Sequence, residues 1–565
     1  MKKAGVWAGL LAIGLLVALV AGCLDSGGGA PSAYKGPLLR YHFAGRAHLP
    51  TGTNAIIYRT IDGLPITAEL RGDIAQKLAA GALPFWKKDL PAGVGDASAI
   101  FRPLLDDFQV AEGYLEIRGL LSRTESVLAV ELSDARAQIW TTKLRELATA
   151  WKLGTPRDVT VEGVKGWEVK RAQAPNTLQF FRTDKWVLIG LSQDANAQLP
   201  ALLRQAKETG RPLQALSGHF LEFSVDLPRL KPLSPLLRKF PLPAIEGTVA
   251  PRGADIRTEA RLYFSTRLPR TESWRIPTQA ISEPLTSFTA AQGVGPLLSA
   301  IASGMNLGVK PLPSQYCAWG INHPQCRIYF GVPVMGNSTN IMTEVASQLP
   351  RFILATVTNV RGDFFYVSNR SELAWVDLQY MIPVVHADRM GLDDYLVGGT
   401  FPFSDKRTPP PDKLFEQVRG RTNLFYYDWE ITQARLVHGK QFYQLLCGAT
   451  GRHVPSTNTA AQRWIAAVGP KLTNTVTEIT QVGPQELSLV RRSPIGFTGF
   501  ELATLASFLD SPAFPFRLEL PPIFPWTVTN STAYRLAHSQ VKGNAVPSTP
   551  RNPGGGSTNA PALKR

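Results

Sequence analysis

Between residues 157 and 191 this chain is a series of short alternating segments, and that series constrains the fold more than any other feature. Val159-Thr160-Val161, Trp167-Glu168-Val169 and Leu178-Gln179-Phe180-Phe181 alternate, and Thr183-Asp184-Lys185 turns the chain into a further run at 186–191. Successive side chains of a strand point to opposite faces, so the series predicts an antiparallel meander with one buried face. The covering layer is written in the flanking sequence. Residues 68–78 carry Leu70, Ile74 and Leu78 at four-residue spacing. Asp134 opens a segment with Trp140, Leu144, Leu147 and Trp151 on one stripe. Asp194 opens another with Leu199, Leu202, Leu203 and Ala206, stopped by Gly210. Each has the spacing and end signals of a helix with one buried side.

Further strands are expected at 38–47, 54–60, 220–225 and 256–264. The second half repeats the order. A helix is expected at 339–349, strands at 352–360, 364–367, 373–377 and 395–399, and a helix at 412–418. A strand at 424–430, a capped helix at 458–468, and paired strands at 476–482 and 486–490 follow. With 565 residues, the chain is too long for one ordinary core. The expected fold class is α+β: two similar halves, 36–270 and 275–525, each an antiparallel β-meander packed against amphipathic helices. The second half is read as a divergent duplicate of the first. Residues 539–565, rich in Gly, Pro, Ser and Asn, are expected to be disordered. Before them Phe514, Phe516, Phe524 and Trp526 alternate with prolines, reading as an extended strap over the core or as a docking strip.

The N-terminus is of a different kind. Lys2 and Lys3 precede an uncharged apolar run over 4–20, which closes on Val20-Ala21-Gly22-Cys23. A basic head, an apolar stretch and small residues before a cut describe a secretory signal. The last four residues resemble the lipobox of bacterial lipoproteins. That resemblance implies that residues 1–22 are removed and that Cys23 is acylated, placing the protein in the cell envelope on a lipid anchor. An uncleaved membrane anchor is the alternative. Residues 23–35 read as a flexible tether, and Leu24 after the cysteine favours the outer membrane. The body is similar in general character to uncharacterised exported bacterial proteins, which implies no activity.

Formal charge is +16. The basic residues are scattered rather than clustered, which fits a solvated surface, and an exported chain does not meet nucleic acid. The membrane through the N-terminal lipid, an envelope protein, an anionic lipid and a wall polymer are the partners considered. No phosphate loop, zinc-protease His-Glu pair or nucleophile elbow is present, and no cofactor is expected. Cys317 and Cys326 flank the turn-like Asn322-His323-Pro324, so they read as a disulfide, as two free thiols, or as part of a metal site short of ligands. His386 and Asp388 alternate onto one side of a strand, where they could bind a metal or share a proton; a turn at Met390-Gly391-Leu392 accounts for nearby acids more simply. His42 and His48 show no acidic partner in sequence. The functional expectation is a non-enzymatic binding or scaffolding protein of the envelope. An envelope hydrolase with a non-contiguous site, or a carrier of an apolar ligand, is the alternative.

Overall fold

The computed structural model describes residues 36–49, 54–86, 93–119, 125–170, 177–192, 196–233, 238–296, 299, 309–356, 362–378, 381–403, 409–449, 458–511 and 514–515. Cys23, residues 1–22, the tether at 23–35, Phe516, Phe524, Trp526 and the tail at 539–565 lie outside them.

Alternating segments make strands, and each strand must satisfy two edges of backbone N–H and C=O groups. From one edge of the sheet the order is β4 (Arg157–Val161), β5 (Val164–Lys170), β6 (Thr177–Thr183), β7 (Trp186–Ser192), β3 (Glu125–Glu131), β2 (Gly113–Arg118), β1 (Leu39–Phe43), β8 (Leu221–Asp226), β9 (Ala244–Arg252) and β10 (Asp255–Tyr263). It continues through β20 (Glu486–Ser493), β19 (Asn474–Gly483), β18 (Leu424–Ile431), β11 (Leu285–Gln292), β12 (Gln315–Ile321), β13 (Ile328–Val334), β17 (Asp393–Gly399), β16 (Val384–Met390), β15 (Glu372–Val376) and β14 (Asp363–Val367). Every pairing is antiparallel. The order is symmetric about the β10–β20 pair, with β4 and β14 at the outer edges.

This corrects the α+β fold class, in which each meander forms a sheet of its own. All twenty strands belong to one sheet. The joint is β10, whose first edge pairs with β9 and whose second pairs with β20 from Ile256↔Ser493 to Tyr263↔Glu486. A period-two pattern identifies a strand and leaves its neighbours open, so the extended pairing was not written in the local sequence.

Helices cover the sheet unevenly. On one face Tyr41, Phe43, Leu115, Leu128 and Val130 pack with α1 (Ile56–Gly63), α2 (Pro65–Trp86), α3 (Ser98–Phe108) and α4 (Asp134–Ala150). The same core takes in α8 (Thr432–Ala449), α9 (Ala460–Val468) and α10 (Gly499–Asp510) through Leu436, Trp464, Ile465 and Leu502. Also on this face, Met342 and Val345 of α6 (Ser338–Thr356) pack on Val334, Leu373 and Leu396. The opposite face is covered towards its two ends. Leu199, Leu202 and Leu203 of α5 (Gln198–Thr209) lie on Val127, Ala129, Phe181 and Leu188. Phe415 of α7 (Asp412–Glu416) lies with Phe288, Trp319, Tyr329 and Val397. Trp167 and Trp186 are fully buried, and Trp167 stacks on Phe180 at 5.2 Å. The aromatics fill the layers rather than line an open channel.

Two segments expected as strands are helical. Residues 54–60 run into α1, which buries Tyr58, Ile61 and Asp62. The run from Phe352 stays in α6 as far as Thr356, with 357–360 outside the described residues. Short apolar runs fit either structure by periodicity. No helix among the described residues is long and apolar enough to cross a membrane.

Candidate functional site

Register assigns each strand residue to a face. Tyr41 and Phe43 point into the helical layer, so Arg40 and His42 point the other way, and pairing carries that second face across the sheet. Along β10 it presents Asp255, Arg257, Glu259 and Arg261 in succession, alternating in sign. Glu222 of β8, Glu246 of β9, Glu486 of β20 and Glu478 of β19 add to it. These side chains range from half-buried to exposed and pair locally: Arg257 with Glu259 at 2.5 Å, Arg261 with Glu486 at 3.0 Å. At β19, Arg421 donates two bonds to Glu478, at 2.8 and 3.1 Å. The centre of the sheet is therefore a broad face of interleaved charge, flanked by the α5 and α7 layers.

A denser polar group lies nearer one end. Gly45 has φ +82, and a Cβ there would stand 2.6 Å from the Glu112 backbone N, so only glycine lets the chain leaving β1 pass so close. Arg46 N–H donates to the Val110 carbonyl, and Glu131 N–H to the Glu112 carbonyl, both at 2.9 Å. These bonds bring together the 3₁₀ turn Arg46–His48, the start of β2 and the end of β3. As a result one ligand atom each from His48, Glu112 and Glu131 lies within 4.8 Å of the others. Glu112 is buried. Its Oε1 meets His42 Nε2 at 3.1 Å and accepts from Arg211 Nη2 at 2.5 Å. Burial pushes the Glu112 carboxyl upward, but the bonds from His42 and Arg211 outweigh it and hold the group below the usual glutamate range. Arg211 lies over the Trp186 ring at 5.6 Å.

Sequence reasoning left His42 and His48 without acidic partners, and the structure supplies them. Glu112 is 70 positions from His42 in the chain, a contact that exists only once β1 and β2 pair. No local spacing could have revealed it.

His386 and Asp388 do share a side of β16, where they oppose Val397 and Tyr395 on β17, while Glu372 faces His386 from β15. His386 is half-buried with its edge against Phe403 at 5.0 Å, and its Nδ1 has no hydrogen-bond partner. Burial lowers its pKa, against the opposing pull of Asp388 and Glu372. This is a neutral ring seated on an aromatic core. Among the described residues, His386, Asp388 and Glu372 do not converge as three ligand atoms. Met390 pairs with Asp393, leaving Gly391-Leu392 as a two-residue hairpin loop with Gly391 at φ +66.

The proposed disulfide is corrected. Cys317 and Cys326 are both buried free thiols. Cys317 lies opposite Gly331 while Gly320 lies opposite Ile328, so Cys326 falls level with residue 322 of the hairpin. Five residues of strand rise separate the two, about 16 Å, far beyond the ~7 Å that a disulfide spans. Cys326 Sγ instead donates to the His438 carbonyl at 3.2 Å. Burial pushes both thiols up to about 12, which keeps them protonated and weakly nucleophilic.

A cavity of about 500 Å³ lies beside Trp429, Leu285, Pro411 and Leu414, with Glu283, Asp412 and Lys413 also lining it. Most of its lining surface is apolar, with the charged groups a minor part of it. Compared with known proteins, the chain matches no family model, no curated protein and no solved structure.

Proposed function

We propose that this is an exported, lipid-anchored envelope protein that works without catalysis, as a scaffold docking another envelope protein on the charged centre of its sheet, which no described helix covers. The observation that carries the reading is the interleaved charge of that face, from Asp255 to Arg261 and across to Glu486 and Glu478. Alternating signs give little attraction to a uniform polyanion. They suit a protein surface of complementary pattern, where charge fixes register and partner choice. The lipobox resemblance at Cys23 supplies the location. Packing supports the non-catalytic part of the reading: His386 rests on Phe403, and Cys317 and Cys326 are buried. The filled layers around Trp167 and Trp186 favour this role over an apolar carrier.

The test is in cells. A photoreactive residue at Arg261 should give one discrete adduct with an envelope protein, and the adduct should fade when Arg257→Glu is added. The same probe at Leu392, which is 94% exposed on a hairpin tip, should not give it. No adduct at position 261, or the same adducts at both positions, contradicts the docking face. Cys23→Ser should release the chain from the membrane fraction; retention there contradicts the lipid anchor.

A further inference from the structure

We propose that His48, Glu112 and Glu131 form a binding site for one borderline divalent cation of the Zn²⁺ class. The inference is independent of the docking face. Three separate backbone segments deliver one ligand atom each, all within 4.8 Å of one another, and main-chain bonds of 2.9 Å fix those segments together. One imidazole nitrogen and two carboxylate oxygens favour zinc and its neighbours over calcium or magnesium, which prefer oxygen alone.

Charge points the same way. Glu112 is paired with the Arg211 guanidinium, and Glu131 brings a second carboxylate to the same point, a charge that a dication would balance. Glu112 has the support expected of a ligand: His42 and Arg211 both bind Oε1 and fix the carboxylate's orientation. His42 is itself buried against Tyr114, edge to face at 5.9 Å. A tetrahedral ion about 2.1 Å from each ligand brings the ligand atoms to roughly 3.4 Å apart. The needed closure comes from His48, which is exposed on its turn and free to rotate inward. Water completes the coordination, so the site is open on the solvent side.

The experiment is calorimetric titration of the tag-free full chain, stripped with chelator, with ZnCl₂. The expected result is one equivalent bound with micromolar affinity or better. His48→Ala and Glu131→Gln should each weaken binding by about ten-fold or more, and His42→Gln should weaken it through Glu112. His323→Ala, in the turn between β12 and β13, should leave it unchanged. Metal-free melting temperatures of the His48 and Glu131 variants should match the parent, since neither side chain is part of the core. Failure of the parent to bind zinc at about 100 μM, or equal stoichiometry and affinity in His48→Ala, overturns the proposal. Equal affinity for Ca²⁺ overturns the assigned metal class.

Discussion

Glu430 shows how far a residue's chemistry can depend on distant chain. It is fully buried on β18, where Oε1 accepts from the Gly499 N–H at 2.7 Å and Oε2 from Arg435 at 3.0 Å. Arg435 also serves Asp428 at 2.6 Å. Burial raises the Glu430 pKa; Arg435 opposes this, Asp428 adds to it, and the group reaches about 7. The folded state thus holds a proton that an unfolded glutamate releases near 4.5. The stability this confers is complete below about 4.5 and is lost as pH rises through 7. Urea unfolding at pH 5 and pH 8 should show Glu430→Gln gaining on the parent by on the order of 3 kcal/mol at the higher pH. An unchanged difference between parent and variant at the two pH values would mean that Glu430 ionises without cost. Asp428 and Glu430 were visible in sequence only as an acidic alternation in a strand. Asp107 accepts from Arg136 and Trp140 and ties α3 to α4. By contrast, the stripe Trp140, Leu144, Leu147 and Trp151 was legible, because one helix sets its own periodicity.

At the scale of elements, the α8–α10 crossing depends on one glycine. A Cβ at Gly499 would stand 2.5 Å from Leu436 N and 2.6 Å from Thr432 O, both backbone atoms that cannot yield. Gly439 lies in the same helix pair, and its nearest neighbour is the Ala503 Cβ at 3.4 Å. Gly499→Ala should therefore destabilise by about 2 kcal/mol or more. Gly439→Ala should be neutral or gain up to ~1 kcal/mol of helix propensity. Thermal melts of the two variants check this, and equal losses would mean that the helices do not approach so closely. Start and stop signals located α4, α5 and α9, whereas α8 was not read from the sequence and α2 and α6 run beyond the bounds expected. Thr459 caps α9, and Thr498 with Glu501 forms a capping box on α10. The errors at 54–60 and 352–356 share a cause: Ile56-Ile57-Tyr58 and Phe352-Ile353-Leu354 are short apolar runs that suit a strand in isolation. Their place in α1 and α6 is a tertiary decision.

On the scale of the molecule, strand identity was legible in part, with β2, β3, β9, β11, β12 and β13 unread, and strand partnership was not legible at all. β10 alternates as clearly as β9, yet nothing in residues 255–263 says that residues 486–493 lie beside them. That pairing turns separate meanders into one sheet and leaves its charged centre uncovered by the described residues, and the docking reading rests on it. Cysteines introduced at Arg261 and Ser488, opposed residues of β10 and β20, test it most directly. Opposed Cβ atoms lie about 4.5–5.5 Å apart, close to disulfide reach, whereas Arg261 and Arg492 are separated by about 13 Å of strand rise. Mild oxidation should cross-link the 261–488 pair and leave the 261–492 pair reduced, with single-cysteine variants correcting for the native thiols. A 261–488 pair that stays reduced, or a 261–492 pair that closes as readily, would contradict the continuous sheet.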